Sequence, residues 1–128
     1  MTVSLVPGEA TGEIVRLDSP LSFWGGYDPV AGVITDRSHP QHGLPLAGKI
    51  VVMVHGRGSS SSSSVLAESL RLGTGPAALV LTEADQILVT GALVAHLLYR
   101  TECPVVVATV PHDASGIWRV SEDGVTPT

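Results

Sequence analysis

Cysteine is nearly absent: Cys103 is the only one in 128 residues. That excludes an internal disulfide. It also excludes an iron–sulfur cluster held by this chain alone, which needs several thiolates. A lone thiol makes a reduced, cytoplasmic setting the expectation. Basic residues are scarce too, seven against twelve acidic ones, for a formal net charge of −5. No basic stripe for nucleic acid is present. No apolar run approaches the ~18 residues of a membrane span. The opening MTVSLVPGEA lacks the basic start and long apolar stretch of a signal peptide, so none is expected. Aromatics are 4% and charged residues 15% of the chain, the latter well under the ~25% usual for soluble domains. A surface this poor in charge predicts a partner chain over part of it. Apolar residues are not scarce, at 44%, and suit one domain over 1–128.

Apolar patterning divides that domain. Thr11 to Leu17 alternates weakly and predicts a strand, ended by Asp18-Ser19-Pro20. Leu21 to Pro29, rich in glycine and aromatics, predicts an ordered loop. Ala31 to Thr35 predicts a short strand and Arg37 to Gly48 a loop. Three segments, Lys49 to His55, Ala77 to Leu81 and Cys103 to Val110, are apolar at nearly every position and predict buried strands. Between them lie a helix running to Gly73 and a second over Asp85 to Tyr99. The second should bury Leu88, Ala92, Ala95 and Tyr99, with Val94 and Leu98 beside them. Gly116 to Asp123 alternates and predicts an edge strand. The fold class is α/β: a β-α-β-α-β core with right-handed crossovers, joined to an all-β first third in one mixed sheet.

The richest stretch is KIVVMVHGRGSSSSSSVLAESLRL, residues 49–72. It predicts a strand, a glycine turn, then a helix whose recognisable part begins at Val65 and whose start is made of serines. A flexible linker is the other reading of six consecutive serines. The continuous apolar pattern on both flanks argues against it. At a helix N-terminus, free N–H groups and the macrodipole favour negative charge. Ser59 or Ser60 can be a plain N-cap there, or a proton acceptor with a stabilised alkoxide. Serine is a weaker acid than lysine, so an alkoxide near neutral pH costs more than ~4.6 kcal/mol. A helix terminus offers at most roughly 2 kcal/mol. Proton transfer must then be concerted with loss of a leaving group. Ser62 and Ser64, further along, are expected to matter little.

Other motifs are weaker. Gly56-Arg57-Gly58 lacks the third glycine of a dinucleotide fingerprint and the lysine of a phosphate loop, and no G-x-S-x-G elbow is formed. His39 and His42 have H-x-x-H spacing without further ligands, so no metal site is expected. Loop structure or a subunit contact suits them better. Trp24, in Phe23-Trp24-Gly25-Gly26-Tyr27, suggests backbone packed closely against a ligand or partner. Cys103 before Pro104 suits a small core residue.

Three segments together, P-L-S-F-W-G-G-x-D-P at 20–29, H-P-x-x-G at 39–43 and G-R-G-S-S-S-S-S at 56–63, give a resemblance. From about Gly8 to Val110 the chain resembles the small subunit, or swivelling domain, of aconitase X. That resemblance implies a swivelling β/β/α fold. It implies a dehydratase completed by a large subunit that carries the iron–sulfur cluster and a small-molecule carboxylate as substrate. In the superfamily a G-S-S-R element supplies a catalytic serine, and Ser59 and Ser60 after Gly58 match its first positions. Ser61 stands where its arginine would be, so Arg57 is the candidate to replace it. The resemblance thus implies Ser59 as the base, with Ser60 next in line, and Arg57, Gly58 and Ser60 as substrate contacts. Within the family the serine run and Ser-Phe-Trp-Gly-Gly look like the bacterial branch acting on cis-3-hydroxy-L-proline, rather than the archaeal branch acting on phosphorylated mevalonate. A non-catalytic module that holds an anion at the helix terminus is the reading from a different class.

Overall fold

The computed structural model describes residues 2–128. Seven strands form one mixed sheet in the order β1-β7-β6-β5-β2-β8-β9. They are β1 (Val3–Val6), β2 (Ala10–Arg16), β5 (Ile50–Met53), β6 (Ala78–Leu81), β7 (Val105–Val107), β8 (Ile117–Ser121) and β9 (Gly124–Pro127). β2, β5, β6 and β7 run parallel, while β1, β8 and β9 pair antiparallel. A two-residue ladder, β3 (Tyr27–Asp28) with β4 (Val33–Ile34), stands apart. Helices α2 (Ser61–Leu72) and α3 (Gln86–Tyr99) are the crossovers of the parallel strands. The expected β-α-β-α-β core and mixed sheet are both present.

Strands buried on both faces need two cores, and their alternation supplies them. Val51, Met53, Leu79, Leu81 and Val105 point to the helices and meet Leu66, Leu70, Leu88, Ala92 and Ala95. Ile50, Val52, Ala78, Val80 and Val106 point the other way. There they meet Ile14, Trp118 and Val120 of β2 and β8, strands of the same sheet. The sheet therefore curls over itself, giving two β layers and one helical layer.

Several expectations need correction. The third core strand is only Val105–Val107. Pro104 has no N–H to give the ladder. Past Ala108 the chain turns away, and the Arg16 guanidinium takes the Val110 and Pro111 carbonyls at 2.6 and 3.2 Å. β8 is not the edge, because β9 pairs outside it. Phe23–Gly26 is one distorted helical turn, α1, with Trp24 and Gly25 off helical angles. Helix α2 starts at Ser61, a full turn before Val65. In α3, Val94, Leu98 and Tyr99 are exposed instead of buried. The reason is Gly91: a Cβ there would stand 2.8 Å from the Ser63 carbonyl oxygen of α2. The helices touch along Leu88, Gly91, Ala92 and Ala95, and that contact rotates the other apolar residues outward.

Candidate functional site

The chain leaves β5 at the carboxyl end of the parallel strands, where α/β sheets hold ligands. Gly56 is fixed at once: its N–H donates to Asp85 Oδ2 at 2.9 Å. Asp85 caps α3 with its other oxygen, which accepts from the Ile87 and Leu88 N–H groups at 3.0 and 3.1 Å. One carboxylate thus ties the glycine turn to the neighbouring crossover. Sequence reasoning gave Asp85 only a place at the helix start. A residue before an apolar helical run signals a cap, but nothing local signals the bond to Gly56.

The two motif loops meet here. Arg57 N–H donates to the Leu21 carbonyl at 3.2 Å. Ser22 Oγ donates to the Trp24 carbonyl at 2.9 Å, and Trp24 N–H donates to Ser62 Oγ at 3.3 Å. With the Ser22 proton so engaged, Ser62 is the donor across the 3.4 Å between the two hydroxyls. The three bonds close a ring on the backbone of Trp24. Phe23 and Tyr27, stacked edge-on with centroids 5.1 Å apart, hold the loop from inside. Burial pushes the Tyr27 hydroxyl well above its ordinary range, so it stays a donor, to the Thr74 carbonyl at 2.6 Å. Trp24 itself turns outward and is 61% exposed.

Gly58 sits against that ring with φ +104°. A Cβ there would lie 2.5 Å from Ser22 Oγ and 3.1 Å from Ser62 Oγ, so only glycine fits. Ser62 is therefore not an incidental member of the serine run but its buried one. Six identical residues hide this. Only counting back from Leu66 and Leu70 by a helical turn places position 62 on the core face.

Arg57, Gly58, Ser59 and Ser60 are all exposed, brought together on the turn before α2. Ser60 occupies the N-cap position, but its side chain makes no cap bond. Ser59 Oγ instead accepts from the Ser61 N–H at 3.3 Å. The Ser62 and Ser63 N–H groups go to the Ser59 and Ser60 carbonyls at 3.0 and 3.1 Å. The helix terminus is thus partly satisfied by its own turn, and Ser59 is the hydroxyl that one of its donors addresses. The Arg57 guanidinium makes no ion pair among the described residues. It lies near Asp36, whose carboxyl is held below its usual range chiefly by the Ser38 hydroxyl and N–H, with Arg57 adding to the effect. Gly56, Arg57, Gly58, Ser62, Asp85, Ile87 and Leu88 line a cleft of only about 40 Å³.

The histidine motif is a buttress. His39 is buried, with Nδ1 accepting from the Gln41 N–H at 3.0 Å and Nε2 facing the Ser19 carbonyl at 2.9 Å. Both ring nitrogens are engaged, whereas His42 is exposed. Gln41 clasps the end of β2 through the Arg16 carbonyl at 2.6 Å and the Asp18 N–H at 2.9 Å. Among the described residues no three of His, Cys, Asp and Glu come together, and no helix is long and apolar enough to cross a membrane. Cys103 is fully buried, and desolvation pushes its thiol up to about 12.

Known proteins resemble this chain in sequence and fold. Residues 2–122 match the family described as the aconitase X swivel domain. The chain is 44% identical over 102 residues to the cis-3-hydroxy-L-proline dehydratase of Pseudomonas aeruginosa, covering 80% of this chain and 18% of that one. It thus spans under a fifth of that relative's length. It is 42% identical over 93 residues to the phosphomevalonate dehydratase small subunit of Pyrococcus furiosus, covering 73% of this chain and 69% of that one. The crystal structure of Thermococcus kodakaraensis aconitase X in its holo-form superposes with a TM-score of 0.84 at 34% identity, covering 97% of this chain and 93% of that one. By sequence and by fold alike, the chain belongs to the aconitase X swivel-domain family.

Proposed function

We propose that this chain is the serine-bearing part of a hydro-lyase that dehydrates cis-3-hydroxy-L-proline, and that it acts only with an aconitase X large subunit. The observation that carries the reading is the meeting of the 20–29 and 56–63 motifs around Gly58, which presents Ser59 beside a helix donor. The small cleft supports the two-part arrangement. At about 40 Å³ it is far smaller than a site that encloses a small molecule, as expected where a second surface completes the pocket.

The substrate has a C2–H beside a carboxylate and a hydroxyl on C3. Ser59 Oγ takes the C2 proton and passes its own hydroxyl proton to the departing C3 hydroxide as the C3–O bond breaks. The proton and hydroxide leave as water, and the resulting enamine tautomerises to 1-pyrroline-2-carboxylate. The Ser61 N–H stabilises charge developing on Oγ, a charge-assisted bond worth roughly 1.5–3 kcal/mol. That N–H is itself part of the helix terminus, so the two contributions overlap and fall short of the alkoxide cost, for which ~4.6 kcal/mol is only a floor. The concerted path avoids that intermediate. Arg57, exposed and without an ion pair among the described residues, serves the substrate carboxylate. Gly58 allows close backbone approach, and Ser60 adds a hydroxyl at the same turn.

Loss of hydroxide calls for a Lewis acid, and the family implies an iron–sulfur cluster. The residues of this chain do not fit one: its single thiol is enclosed in the core and held protonated. The cluster is assigned to the large subunit. The second reading, phosphorylated mevalonate as substrate, is favoured by the 42% identity to the Pyrococcus furiosus small subunit. One experiment separates them. The chain alone should be silent, and the complex with its large subunit should turn over cis-3-hydroxy-L-proline. A preference of the complex for the phosphorylated substrate selects the second reading. Turnover by the isolated chain refutes both.

A further inference from the structure

Helix α3, QILVTGALVAHLLY, carries no Asp, Glu, Lys or Arg. Its inner side, Leu88, Gly91, Ala92 and Ala95, is buried. Its outer side is apolar as well: Leu93, Val94 and Tyr99 are exposed, and Leu97 and Leu98 are 70% and 66% exposed. A surface helix normally turns charge to water, and one apolar all round is covered on both sides. The neighbouring α2 follows the normal pattern, with Ser61, Ser64 and Arg71 outward. Beside α3, against β1, Leu5, Ala84, Val89 and Thr90 help line a groove of about 380 Å³. Gln86, Thr90, Leu93 and Leu97 form one helical stripe from that groove, polar in its first half and apolar in its second.

We infer that this face of α3 is the seat of the aconitase X large subunit. The inference rests on the proposed function and adds where the partner sits. Two observations choose the occupant. The first turn of α3 already walls the cleft beside Gly58 through Asp85, Ile87 and Leu88. A surface that closes the cleft lies against that end of α3, and one that continues along the helix past Gln86 and Thr90 reaches Leu93 and Leu97. In the Pseudomonas aeruginosa relative the matching stretch is 18% of the chain, so most of that protein lies outside this domain and is available to cover it. The partner surface carries aliphatic or aromatic side chains for Leu93, Leu97 and Leu98, and polar ones where Asp85, Gln86 and Thr90 line the groove.

The test is co-expression of the full chain with the large subunit, followed by size-exclusion chromatography and affinity measurement. Leu97→Glu/Leu98→Glu should lower affinity at least tenfold and keep the circular dichroism of the parent. Val30→Glu, the same change at an exposed apolar residue off this face, should bind as the parent does. Hydrogen exchange gives the same answer without substitution: amides of 90–99 should gain protection in the complex, and those of 117–127 should not. Undiminished binding by the double variant, with no protection of 90–99, overturns the inference and leaves the proposed function standing. Loss of a homodimer in the double variant, with binding to the large subunit unchanged, assigns the face to a second copy and also overturns it. Failure of the parent chain to bind the large subunit refutes the proposed function itself, and the inference with it.

Discussion

Gly58→Ala is the substitution whose consequence the structure sets most tightly. The new methyl would stand 2.5 Å from Ser22 Oγ. Ser22 can relieve this only by rotating away from the Trp24 carbonyl, which opens the ring of bonds on Trp24 at a cost of about 1 kcal/mol. The backbone at φ +104° adds about 1–3 kcal/mol for any residue with a Cβ. The sum, about 2–4 kcal/mol, lies inside the usual margin of ~5–15 kcal/mol, so the variant folds. Urea denaturation followed by circular dichroism measures it. The diagnostic is the cycle with Ser22→Ala. In that background the nearest contacts become Ser62 Oγ at 3.1 Å and Ser22 Cβ at 3.3 Å, and the bond to Trp24 is already gone. The double variant should therefore be about 1 kcal/mol more stable than the sum of the singles, beyond the ~0.3–0.5 kcal/mol scatter of independent sites. Strict additivity, or a Gly58→Ala cost below about 1 kcal/mol, would refute this account of the loop.

Three further outcomes follow from the same geometry. Ser62→Ala should cost about 1–3 kcal/mol by leaving the Trp24 N–H unpaired, while Ser64→Ala, on the exposed side, should be nearly neutral; thermal unfolding compares them. Gly91→Ala should destabilise by about 1–3 kcal/mol through overpacking against the Ser63 carbonyl and Leu66, although alanine is the better helix former, and urea titration gives the sign. Cys103 sets an alkaline limit: its folded pKa is raised to about 12, against about 8.5 when unfolded. Its contribution is full below pH ~8.5 and is lost as pH rises toward 12. Urea midpoints should fall between pH 8 and pH 10.5 more in the parent than in Cys103→Ala, and the native thiol should resist thiol reagents at pH 8.

Where the sequence was legible, the reason was local. β5 and β6 announce themselves by continuous apolar runs, and α2 ends at Gly73, which adopts φ +78° as a C-cap. β1 and β9 were not legible. β1 pairs with β7, about a hundred residues away, and Val3–Val6 is too short to signal this. β9 ends in Pro127, which argues against a strand except at an edge, where it lies. The site was legible as motifs but not as contacts. Ser59 and Gly58 stand out beside one another, whereas the ring of Ser22, Trp24 and Ser62 joins residues 38 to 40 apart. The serine run conceals which hydroxyl is buried. The outer face of α3 misled because apolar spacing alone does not distinguish a buried face from an exposed one.

The central claim is that Ser59 moves the proton. It is tested by kcat for cis-3-hydroxy-L-proline in the complex of this chain with its large subunit, for the parent and for Ser59→Ala. The hydroxyl is exposed and makes one 3.3 Å bond, so its loss should leave folding and assembly intact. The account predicts a fall in kcat on the order of 10²–10⁴-fold with KM little changed. A near-normal kcat for Ser59→Ala in an intact complex would contradict it.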